Sequence, residues 1–165
     1  MKKELIERIE VGSGGASSIE FTGIPGTGKD LLILFSLRST VNNATGELLI
    51  NGSSANRQNI TLYGTGNGVG SQNTTSAYIS ASQVENADTA NTFSSGQLYF
   101  SNYASSSNKS FSYDSVTENN GTVAQSVIHA GLWSNTDVIT ALKINARTGN
   151  LTEHSTASLY KVVTE

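Results

Sequence analysis

GIPGTGKDLLILFSLRST, residues 23–40, can be read in two ways, and the choice decides the fold. Gly23, Gly28 and Lys29 fall where the phosphate-binding pattern G-x-x-x-x-G-K-[ST] wants them, with Asp30 in the final position. A phosphate loop leads into a helix whose N-terminus faces the phosphates. The residues DLLILFSLRST have no polar face at helical spacing. A continuous apolar run bounded by turn residues suits a strand covered on both faces. Asp30 is a second objection: the motif's hydroxyl ligates Mg²⁺, and a carboxylate there sets like charges against the phosphates. No apolar strand ending in Asp follows in a βαβ pattern. The stretch therefore reads as a turn, made easy by Pro25 and the glycines, followed by a strand.

Strand periodicity extends outward from there. Residues 17–22 alternate, with Ile19 and Phe21 on one face. Short strands are expected at 47–51, 59–63 and 76–81. Residues 97–103 set Leu98 and Phe100 against Tyr99, and 110–117 set Phe111, Tyr113 and Ser115 against Ser112, Asp114 and Val116. The Asn-Gly of ENNG, 118–121, signals a hairpin turn, because it accepts the positive φ of a type I′ turn. Strands at 122–133 and 137–146, a turn at RTGN (147–150) and a last strand at 157–163 complete about ten short strands. The segments 64–73 and 83–91, rich in Gly, Asn and other small or polar residues, read as long exposed loops at an end of the molecule. Segment 4–11 fits helix and strand poorly; residues 1–11, preceding the flexible GSGG, read equally well as an N-terminal arm or as the first strand. The expectation is one all-β domain over residues 1–165, a jelly-roll-like sandwich of two antiparallel sheets.

Composition agrees. Charged residues are 14% of the chain, against about 25% in an ordinary soluble domain, and Ser, Thr, Asn and Gly take their place. These residues disfavour helix interiors and suit turns and strand surfaces. A net charge of −3 gives no electrostatic hold on nucleic acid. Cysteine is absent, which excludes disulfides and thiolate metal sites, and His129 and His154 are too far apart in sequence to suggest a metal site. No run is long and apolar enough to span a membrane, and MKKELIERIE has no apolar core of a secretory signal. Sequons such as Asn43-Ala44-Thr45 then read as a by-product of composition.

Candidate chemistry is sparse. Asp114 and Glu118 would lie roughly 13 Å apart on an extended strand, too far for a glycosidase pair. His129 reads as a strand-face or core histidine. Ser126 and Ser134 lack a nucleophile elbow. Trp133 reads as a core or interface anchor rather than a sugar platform. Tyr63, Tyr78, Tyr99 and Tyr103 are scattered, though Tyr63 and Tyr78 stand near the two polar loops. No catalytic, cofactor-binding or metal residue is assigned, and no enzyme is expected.

Four stretches taken in order, ELIERIEVGSGGASSIEFTGIPGTGKDLLILFSLRS, ANTFSSGQLYFSNYASSSNKSFSYDSVTENN, AGLWSNTDVITALKI and TEHSTASLYKV, resemble a family of small structural proteins of tailed phages, many from marine hosts. In that family the early segment reads Ile-Pro-x-Thr-Tyr-x-Asp-Leu. Residues Ile24 to Leu31 match it, with Gly28 where an aromatic is usual. The resemblance makes Asp30 the expected residue before the strand. It implies a non-enzymatic virion protein made in the host cytoplasm, foremost a capsid decoration or cement protein bound to the major capsid protein or another virion protein. It also implies a homo-oligomer, foremost a trimer. The second reading is a tail-associated adhesin that binds host glycan through its polar loops.

Overall fold

The computed structural model describes residues 2–79, 82–117 and 124–163, in twelve strands and no helix. They are β1 (Lys2–Glu10), β2 (Ser18–Phe21), β3 (Asp30–Ser36), β4 (Gly46–Ile50), β5 (Arg57–Thr65), β6 (Gly68–Thr74), β7 (Tyr78–Ile79), β8 (Ser95–Phe100), β9 (Lys109–Val116), β10 (Gln125–Trp133), β11 (Leu142–Ala146) and β12 (Thr156–Val163). One antiparallel sheet has eight strands in the order β1-β12-β3-β8-β9-β10-β5-β6. The other has four, β2-β11-β4-β7.

The wiring follows a simple rule. The pairs β1·β12, β2·β11, β3·β8 and β4·β7 are successive rungs of one long antiparallel ribbon. Odd rungs lie in the large sheet and even rungs in the small one, which is the jelly-roll arrangement. The remaining strands are insertions into this body. The hairpin β5–β6 enters between β4 and β7, and β9–β10 enters between β8 and β11. Together they extend the large sheet beyond β8 as a four-strand extension.

The strand expected at 31–37 is β3, and no helix follows the Gly23–Lys29 turn. Its Leu31, Leu32, Ile33 and Phe35 are buried, and Leu31, Ile33 and Phe35 join Leu98, Phe100, Leu159, Ile19, Phe21, Leu48 and Ile144 in one core. Aromatic stacking carries that core toward the extension. Phe35 stacks on Tyr113 at 5.9 Å, Phe100 meets Phe111 at 5.1 Å, and Tyr113 meets the His129 ring edge-on at 4.9 Å.

Register in the large sheet is pinned by a repeated device. Phe35 opposes Gly96, Phe111 opposes Gly131 and Tyr63 opposes Gly70. In each pair the ring lies flat over the glycine: a Cβ there would approach it to 2.2, 2.1 and 2.5 Å, respectively. Only glycine fits, so each pair fixes its strands against slippage.

Several expectations need correction. Residues 64–73 are not a loop. They form the end of β5, a two-residue connection and most of β6, because the β5 ladder supplies backbone bonds that composition does not forecast. Of the two readings of the N-terminal segment, the first strand is the one found: Lys2–Glu10 pairs along β12 as an edge strand, with an irregularity between Leu5 and Glu7. The strand expected at 137–146 begins only at Leu142. Before it, Asn135 Oδ1 accepts the Asp137 N–H at 2.8 Å and turns the chain locally. Residues 83–91 are outside the strands but do not stand clear of the core. Gln83 and Val84 are buried, and Val84 bridges to Arg38. The ENNG turn (118–121) lies outside the described residues.

Candidate functional site

The nucleotide-like turn is occupied by its own protein. The Gly28 N–H donates to Tyr103 Oη at 3.0 Å, the Lys29 N–H to the Val162 carbonyl at 2.8 Å and the Ile24 N–H to Thr140 O at 2.9 Å. Tyr103 Oη in turn donates to the Pro25 carbonyl. Three donors of the kind a phosphate loop directs at its ligand are thus engaged. Tyr103 also leaves little room for a side chain at position 28, since a Cβ on Gly28 would sit 3.0 Å from its hydroxyl. Asp30 is buried and accepts from Tyr99 Oη at 2.5 Å and from the Asn102 N–H at 2.9 Å. That bond to Asp30, with burial, pushes the Tyr99 hydroxyl up to about 12. Asp30 ties the start of β3 to the end of β8, and Lys29 is left exposed.

The other candidates are also structural. His129 is 2% exposed, with Thr61 Oγ1 3.2 Å from its ring nitrogens; burial holds its pKa down at about 4. Trp133 is buried with the Lys109 ammonium 5.5 Å from its ring centre. That ammonium donates to the Asn135 and Asp137 carbonyls. Asp114 is exposed and accepts from Gln97 Nε2 at 2.7 Å across the β8–β9 pair; Glu118 lies outside the described residues. The tyrosines do not gather: Tyr63 covers Gly70, Tyr78 lies under the Arg147 guanidinium in the other sheet, and Tyr99 and Tyr103 brace the 23–30 turn. Among the described residues no three of His, Asp and Glu come together as for a metal, and no helix is long and apolar enough to cross a membrane.

Sequence reasoning missed two features. One is Arg38, whose guanidinium is buried at the end of β3. Its Nη1 donates to the Thr89 and Thr92 carbonyls and to Thr92 Oγ1, and its Nη2 to the Asn86 and Asp88 carbonyls, at 2.9–3.2 Å. The loop after Val84 is wrapped around this cation.

The other is the outer face of the extension. Strand β5 is amphipathic in the inverted sense. It buries Arg57, Asn59 and Thr61, while Ile60 and Leu62 are 52% and 57% exposed. Burial lowers the Arg57 pKa to about 10, against the opposing pull of Glu47. Strand β10 keeps an apolar inner face, with Val127 and Trp133 buried beside His129, yet it also exposes Ile128, at 60%. Leu62 opposes Ile128, Ile60 opposes Ala130, Ser126 opposes Val116, and Val69 stands beside Gly64 at 91% exposure. Leu62, Val69 and Ile128 line a shallow groove of about 530 Å³ with Gly64, Ser71 and Ser126. Along β10, β5 and β6 this face has no charged residue, and on β9 the exposed Asp114 stands opposite Ile128 at its margin. The signal was in the sequence: N-I-T-L alternates, and the polar set, not the apolar set, faces inward.

No known family model and no curated protein matches the chain.

Proposed function

We propose that the protein is a non-enzymatic structural component of a phage virion, foremost a decoration or cement protein that docks on the capsid through the outer face of β10, β5 and β6. The observation that carries this reading is the inverted burial of β5. A strand that sets Ile60 and Leu62 in water and Arg57 and Asn59 inside places its apolar surface where only an external partner can cover it. The ordered resemblance to small tailed-phage structural proteins supports the same reading. So does the jelly-roll wiring, which recurs in capsid proteins. An uncharged face fits a preformed protein surface better than nucleic acid or an anionic membrane, either of which would call for basic residues.

The test is the copy number in purified particles, measured by quantitative mass spectrometry against the major capsid protein. A capsid-wide decoration protein is present at a fixed, lattice-scale ratio. A handful of copies per particle replaces this reading with the tail adhesin. Absence from particles removes the virion reading altogether.

A further inference from the structure

The large sheet has two open edges, and they are built differently. At one, six of the nine residues of β1 are charged, and the irregularity between Leu5 and Glu7 breaks its line. Charges and bulges of this kind are how sheets refuse a further strand. At the other edge, β6 reads GVGSQNT, with neither charge nor proline, and its seven residues pair with β5 without a shift. Nothing in β6 opposes strand addition.

We propose that two copies of the chain join through β6, antiparallel about a two-fold axis at Ser71, so that the two large sheets become one. The hairpin geometry specifies the contact. Only two residues separate Thr65 from Gly68, so that pair closes the hairpin with both of its hydrogen bonds. Alternation then directs the backbone groups of Gly70, Gln72 and Thr74 toward β5 and those of Val69, Ser71 and Asn73 outward. The outward set is symmetric about Ser71. In an antiparallel pairing Ser71 meets Ser71 of the second copy, and Val69 meets Asn73, so every outward N–H finds a carbonyl. A contact of this kind is isologous and closes at two copies. It sets the uncharged outer faces of the two copies side by side, doubling the surface that docks in the preceding proposal; multivalency strengthens such attachment without new contacts. The pairing itself is a property of the purified chain and does not depend on that proposal. It differs from the threefold assembly implied by the resemblance, which needs a head-to-tail contact.

Sedimentation velocity of the full chain, with no particles present, tests this. The expected species is a dimer. Val69→Lys sets a charge at the contact without disturbing a buried group, and is expected to weaken the dimer on the order of 100-fold while leaving unchanged the thermal stability measured at concentrations where both chains are monomeric. Hydrogen exchange adds a site-specific readout. The amides of Val69, Ser71 and Asn73 are expected to gain protection as concentration rises, while those of Gly70 and Gln72, already bonded to β5, do not change. A monomer at every concentration overturns the proposal. So does a trimer, or a dimer that Val69→Lys leaves intact.

Discussion

Strands β3 and β5 lie in one sheet and treat their apolar residues in opposite ways. β3 buries Leu31, Ile33 and Phe35 between the two sheets of the jelly roll, with Leu32 buried on its opposite face. β5 turns Ile60 and Leu62 to water and packs Arg57, Asn59 and Thr61 inward. In the body, hydrophobic burial specifies the register. The Phe35–Gly96 pair adds to it there, and in the extension register rests on the Phe111–Gly131 and Tyr63–Gly70 pairs and on hydrogen-bonded polar groups. Asn59 Nδ2 donates to the Ser76 carbonyl at 2.7 Å, Arg57 Nη2 reaches Ser53 O at 3.4 Å, and Thr61 meets His129. Arg57 Nε and Asn59 Oδ1 are nonetheless buried without a protein partner. Both regions thus share one core, but only the extension leaves a run of apolar side chains on its outer face.

The sharpest way to break this comparison is to delete the same kind of side chain in both regions. Leu98 is fully buried in β8, and Leu98→Ala is expected to cost about 2–5 kcal/mol in chemical denaturation. Leu62→Ala, on the outer face, is expected to change stability by no more than about 0.5 kcal/mol. Equal losses would mean that the outer face is part of the folding core.

Next is acid. His129 is neutral and buried, and its pKa falls from the ordinary 6.5 to about 4 on folding. Between these values the unfolded chain binds more protons than the folded one, so stability falls as pH drops from about 6.5 toward 4. The largest contribution is on the order of 3 kcal/mol. Denaturation of the wild type and of His129→Gln across that window measures it; a difference that does not vary with pH would remove His129 as the source.

Smaller still is the effect on register. Gly131→Ala drives a methyl into the Phe111 ring and is expected to destabilise by about 1–3 kcal/mol. Phe111→Leu in the same chain should recover part of the loss, because the smaller side chain leaves room for the methyl. Additive losses in the double variant would show that the pair does not set the register.

Much of the body was legible in the sequence. The run 31–37 and the alternation of Ile19 and Phe21 follow from periodicity, as does the Phe111-Tyr113-Ser115 face of β9 in the extension, since burial on a pleated strand has period two. The roles of Asp30 and Tyr103 were not legible, because they depend on contacts 72 and 78 residues away in the chain. The 64–73 segment misled for a related reason. Its glycines look like loop, yet Gly70 lies beneath Tyr63 and the strand is held by pairing with β5 rather than by its own propensities. The inverted face of β5 was visible as alternation, but alternation alone does not say which set faces inward. That depends on where the loops at 51–56 and 75–77 fall, and they lie against Arg57 and Asn59.

The proposed function has the outer face of the extension attach the protein to a capsid without contributing to the fold. Leu62 and Ile128 oppose each other at the middle of that face and are both exposed. The direct test replaces both with lysine and measures binding to purified capsids that lack the protein, alongside thermal unfolding. The account predicts an unchanged melting temperature with capsid occupancy reduced to background. Full occupancy by the double variant, with the fold intact, would contradict it.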